Sequence, residues 1–132
     1  MISVKDRQMR TPLRRVRGLG AGHSGTTTFW HQRLTSVAGV PLTIAAIVIA
    51  IALLGRSHAA TVQILGSPLV AIVMLLFILN TAYHMWIGLE EIIVDYVHEE
   101  KLKLLAVIGN TFFVFLAGFA AAFAVLKLSF GV

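Results

Sequence analysis

The sequence predicts an all-α membrane protein of three transmembrane helices, and three observations carry that expectation. Hydrophobic residues fill 58% of the 132 positions and charged residues only 13%, a balance unsuited to a soluble domain. Three charge-free stretches each come close to the roughly 20 residues that cross a hydrocarbon core some 30 Å thick. Six of the eleven lysines and arginines lie outside these stretches, within the first seventeen positions.

The first uncharged run extends from Leu34 to Leu54 and stops at Gly55-Arg56, which predicts a helix over about 31–55. The second, Ser57 to Leu89, is divided by Gly66-Ser67-Pro68: a turn, an N-cap serine and a proline at the first helical position, where its missing N–H is no loss. That places the second helix at about 67–97. Lys103 and Lys127 bracket the third run, Leu104 to Leu126, and their long stems reach opposite interfaces from a helix at about 102–128. In this span Ala117, Gly118, Ala121 and Ala122 form two small-xxx-small pairs, which ordinary bundle packing explains.

Residues 1–28 read as a basic arm, made flexible by Gly18, Gly20, Gly22 and Gly25 and expected to order only against a partner or lipid headgroups. Residues 29–132 form the membrane domain. The basic run leads into GLGAGHSGTTTFW rather than an apolar core, which argues against a cleaved signal peptide, and the composition argues against a mitochondrial transit peptide. The flanking cations place the N-terminus on the cytoplasmic or matrix side and the C-terminus across the membrane. A bacterial inner membrane is expected ahead of a mitochondrial one. The net charge of +5 belongs to the arm and does not indicate nucleic acid. Without cysteine, the chain itself holds no disulfide, thiolate zinc site or iron-sulfur cluster.

The segment HMWIGLEEIIVDYV, His84 to Val97, carries the chemistry. At 100° per residue Asn80, His84, Gly88, Glu91 and Asp95 share one stripe of the second helix, while Tyr96 points about 120° away from His84. His84 lies roughly 9 Å below Glu90 and Tyr96 about 18 Å along the axis from His84. The imidazole is therefore in the membrane and the Asp-Tyr pair is at its rim. An ionisable group at that depth faces the bundle interior with a partner: either another helix, or a haem iron taken by a ring nitrogen, with Gly88 leaving room for a flat macrocycle and Asn80 one turn back bonding the other nitrogen. His23, His31, His58 and His98 are all too shallow, so if haem is bound here its second axial ligand comes from another polypeptide. Tyr96 is either an aromatic-belt anchor or a phenolic donor to a quinone. Asp95 suits a proton relay or a neighbouring cation. The glutamates 90, 91, 99 and 100 read as a solvated helix end. Arg33, between His31 and Thr35, either snorkels or offers its fork to a carboxylate, such as a haem propionate or Asp95.

The order His84-x3-Gly88-x6-Asp95-Tyr96 late in the second of three spans, with Arg33 early in the first, closely resembles the hydrophobic membrane anchor, the small cytochrome b subunit, of succinate dehydrogenase (respiratory complex II). The likeness covers about residues 29–126. It implies that His84 is one axial ligand of haem b, shared with a second three-helix cytochrome b subunit, and that Tyr96 and Asp95 help form the ubiquinone site. It also implies that Arg33, with His31 beside it, lies near the haem propionates or quinone. FAD and iron-sulfur clusters would sit only in a flavoprotein and an iron-sulfur subunit docked on the Tyr96 side. Direction, succinate oxidation or fumarate reduction, is open from the sequence. Two rival readings remain at this stage: a purely structural tether without haem or quinone, and a transporter or channel subunit with a proton path through His84, Glu91 and Asp95.

Overall fold

A computed structural model describes residues 25–131; the arm assigned to residues 1–28 lies outside the described residues except for its last four, which are helical. Four helices follow in order: α1 (Gly25–Leu53), α2 (His58–Leu65), α3 (Pro68–Tyr96) and α4 (Glu100–Phe130). Thr26–Leu53 of α1, all of α3 and all of α4 are long and apolar enough to cross a membrane, which is the expected three-span architecture. At 1.5 Å per residue each long helix measures roughly 43–47 Å, more than the hydrocarbon core, so both ends project into the interfacial layers.

Helix α1 begins six residues ahead of its expected start and runs on through Pro41. The charge-based boundary fell short because Arg33 lies within the helix and no charge occurs between Gly25 and Gln32. Gly55, at φ 70°, takes the chain out of α1 in the left-handed region that a Cβ disfavours. The segment expected to be a loop, 56–67, instead contains α2, whose N-cap Ser57 accepts a hydrogen bond from the Ala60 N–H at 3.4 Å. Its eight residues are too few for a span, and a charge pattern has nothing else to detect. Pro68 occupies the first turn of α3 and Ser67 the N-cap position as expected, but the Ser67 hydroxyl donates back to the Ile64 carbonyl at 2.8 Å instead of capping α3. At the α2–α3 junction a Cβ on Gly66 would lie 2.8 Å from the Leu128 carbonyl oxygen, so only glycine lets this turn seat against the end of α4.

Helix α3 is central, packed antiparallel against α1 on one side and α4 on the other. Polar contacts pin both interfaces. Asn80 Nδ2 donates to the Thr35 carbonyl at 3.1 Å, opposite Gly39, where a Cβ would approach that nitrogen to 3.2 Å. Trp86 Nε1 donates to Thr111 Oγ1 at 3.1 Å and Asn110 Nδ2 to the Trp86 carbonyl at 3.0 Å, while Gly118 lies against Ala82. Lys103 reaches back to the Val94 carbonyl at 2.9 Å, satisfying one of the acceptors that the last turn of α3 leaves free. Among the described residues only Ala71, Ile87, Val114 and Asn110 are buried. Apolar side chains cover the outside instead, including Phe112, Phe115, Phe119 and Phe123. Lipid is as apolar as leucine, so close packing and interhelical hydrogen bonds, rather than hydrophobic burial, hold such a bundle together.

Candidate functional site

The end of the bundle where α1 begins and α3 ends carries two cavities on the two flanks of α1. One is an open groove of about 640 Å³ along α3, lined by His84, Gly88, Glu91, Asp95 and Tyr96, with Gln32 contributed by α1. The polar stripe read from the sequence therefore does line one surface, with one exception: Asn80 is turned to α1. The second cavity, about 790 Å³, lies on the other flank of α1 and includes His31, Tyr83, Trp86, Glu90 and Asp95.

His84 is half-buried in mid-helix. Its Nδ1 lies 2.8 Å from Thr35 Oγ1 on α1, and Nε2 makes no hydrogen bond among the described residues. The expectation that Asn80 would bond the ring, directly or through its carbonyl, is corrected: Asn80 holds the Thr35 backbone, and the Thr35 side chain takes the imidazole. The helical offset explains the exchange. Asn80 is one turn from His84 on the same helix, so its amide crosses to α1, while the hydroxyl on α1 projects to the ring.

Gly88 lines the groove and also faces α1. A Cβ there would lie 3.2 Å from Gln32 Nε2, so the missing side chain admits an amide from α1. Gln32 Oε1 has no hydrogen-bond partner although it is shielded from solvent, which leaves an unused acceptor one turn from His84. Among the described residues no three His, Asp or Glu side chains gather into a metal site. Among the described residues the donor set would suit one bond to a haem iron, from the His84 imidazole beside an open groove, and offers no second one there.

Asp95 and Tyr96 close α3. Tyr96 is 78% exposed and about 18 Å from His84 along the helix; Asp95 borders both cavities. His31 and Arg33 do not join the groove with His84. His31 Nδ1 lies 2.8 Å from the Tyr83 hydroxyl, in the second cavity. Arg33 stacks its guanidinium 4.7 Å from the Phe29 ring centroid, rather than on Asp95. At 100° per residue it projects about 160° from Thr35, away from α3. Sequence reasoning missed Gln32, Thr35 and Tyr83 as site components. A usable signal was present: Gln32, Thr35, Ser36 and Gly39 recur at the helical period inside an apolar run, the mark of a face turned to protein.

Three helices long and apolar enough to cross a membrane, a half-buried imidazole on the central one and a carboxylate-phenol pair at its end define a class of protein: a multi-pass membrane protein with polar groups set along one helix. The chain belongs to the family described as succinate dehydrogenase/fumarate reductase transmembrane subunit, whose model matches residues 7–118. It is thus an anchor subunit of an oxidoreductase complex. No curated protein and no solved structure matches the chain.

Proposed function

We propose that this chain is the membrane anchor and electron-transfer subunit of a succinate:ubiquinone oxidoreductase, giving one axial ligand to haem b and part of the ubiquinone site. The observation that carries this reading is His84: an imidazole in the span, held at Nδ1 by another helix and uncommitted at Nε2. In such a complex the second axial ligand comes from a partner three-helix cytochrome b subunit, and a flavoprotein and an iron-sulfur subunit dock on the Tyr96 side. When bound, haem b supplies a one-electron store within the membrane. The N-terminus then lies on the cytoplasmic or matrix side, as the cation counts require, and the inner membrane of a bacterium is the proposed compartment.

At the rim the Tyr96 phenol donates a hydrogen bond to a quinone oxygen, and Asp95 beside it relays protons from the aqueous side. Tyr96 sits on an exposed turn where an amphipathic ring is stable, and the groove below it offers apolar walls from Leu89 and Ile92. Arg33 and His31 then act at the edge of the site, Arg33 toward a propionate or headgroup carried by the partner side. The optical spectrum of the purified complex tests the haem assignment. His84→Ala is expected to abolish or shift the reduced haem b band. An unchanged spectrum, with the peripheral subunits still co-purifying, would overturn ligation and leave a purely structural tether.

A further inference from the structure

We propose that Thr35 is the positioning residue for His84: its hydroxyl accepts a hydrogen bond from Nδ1–H and thereby fixes the ring tautomer whose Nε2 lone pair is free to bind iron. This inference rests on the axial-ligand reading of His84 given above and assigns a helix-α1 residue to that site.

Donor counting fixes the direction of the bond. A threonine hydroxyl has one proton. Thr35 Oγ1 has three polar neighbours: the His31 carbonyl at 2.8 Å, the Gln32 carbonyl at 3.0 Å and His84 Nδ1 at 2.8 Å. Both carbonyls only accept, and they share the proton in the back-bonded geometry open to a threonine inside a helix. The hydroxyl lone pairs are what remain for Nδ1, so that nitrogen must carry its own hydrogen. The reverse assignment sends the hydroxyl proton to Nδ1 and leaves two oxygen–oxygen contacts of 2.8 and 3.0 Å with no hydrogen between them. The neutral ring with Nδ1 protonated has its lone pair on Nε2.

The same residue is anchored through its backbone. Asn80 Nδ2 donates to the Thr35 carbonyl at 3.1 Å, and the absence of a side chain at Gly39 lets that amide approach. Two polar groups on α3, one turn apart, thus grip one residue of α1, which sets both the rotation of the imidazole and its height. A histidine that binds a metal through one nitrogen commonly donates from the other to an oxygen, and this partner raises the basicity of the bonded nitrogen.

The test uses the assembled complex with Thr35→Val, which keeps the shape and removes the acceptor, and Thr35→Ser, which keeps the hydroxyl. Haem transfer to an excess of a haem-scavenging protein and a potentiometric titration of the haem are followed for each. The valine variant is expected to hold haem about 10- to 100-fold more weakly. Its midpoint potential rises, because a less basic imidazole favours ferric iron less. Serine restores both properties. Valine with wild-type retention and potential overturns the proposal, and so does a serine variant that behaves like valine, since that outcome assigns the effect to packing. Should the valine complex not assemble, Thr35→Ala takes the same readings. An unchanged haem band in His84→Ala removes the ligation itself and the proposal with it, whereas loss of that band with an indifferent Thr35→Val removes only the role of Thr35.

Discussion

At the scale of single residues, the chemistry of this anchor depends on which atoms are left uncommitted. His84 is tied at one nitrogen, and Tyr96, at the last turn of α3, presents its hydroxyl to the surface. One neutral hydrogen bond contributes about 1 kcal/mol, so Tyr96→Phe is expected to lower quinone reductase activity by about five- to ten-fold. On the proposed function, succinate oxidation by an artificial acceptor should persist, because that reading assigns it to the peripheral subunits. Assaying both activities on one preparation checks this; an equal fall in both points to failed assembly. Arg33 and His31 show how the packing of α1 sets a polar side chain's neighbours within the chain. Both are polar and near the right depth, yet α1 turns one onto Phe29 and the other onto Tyr83.

At the scale of elements, the junctions carry more constraint than the spans. The turn between α2 and α3 passes so close to the end of α4 that a Cβ at Gly66 would meet the Leu128 carbonyl at 2.8 Å and the Val62 carbonyl at 2.9 Å. Backbone oxygens cannot rotate aside, so Gly66→Ala should cost about 1–3 kcal/mol, read as a lower unfolding temperature of the detergent-solubilised complex with its haem spectrum unchanged in form. Gly66 was legible in the sequence as a turn, but its contact with Leu128, 62 residues away, was not. Likewise, helix α2 escaped notice since eight uncharged residues differ in no periodic way from the loop they replace. The three long helices were legible because the absence of charge over some twenty residues has a single cheap solution in a bilayer.

For the whole molecule, the decisive property is how little of it is buried. Four described residues are buried, and the phenylalanines of α4 stand exposed along with Leu76, Leu79 and Ile92. Such a surface suits lipid and a partner of similar apolarity. Expressed without partner subunits, the chain is expected to accumulate poorly and to bind haem below stoichiometry, because the proposed function gives it one ligand, His84, and leaves the other to a partner. Absorbance of the isolated polypeptide against protein concentration measures this; one haem per chain in a stable monomer would contradict the shared site. Purifying the chain from its native membrane should bring along a flavoprotein, an iron-sulfur protein and a second three-helix subunit.

Sequence alone determined the number of spans, their limits to within several residues, and the stripe His84, Gly88, Glu91 and Asp95, because hydropathy and helical periodicity are local and repeat along the chain. Tertiary structure decided the partners. Thr35 rather than Asn80 holds the imidazole, Gln32 fills the space beside Gly88, and His31 lies across α1 from the groove. These outcomes follow from how two antiparallel helices are rotated and slid against each other. That register is set by side chains 45 to 49 residues apart, a distance over which no local pattern in the sequence reports.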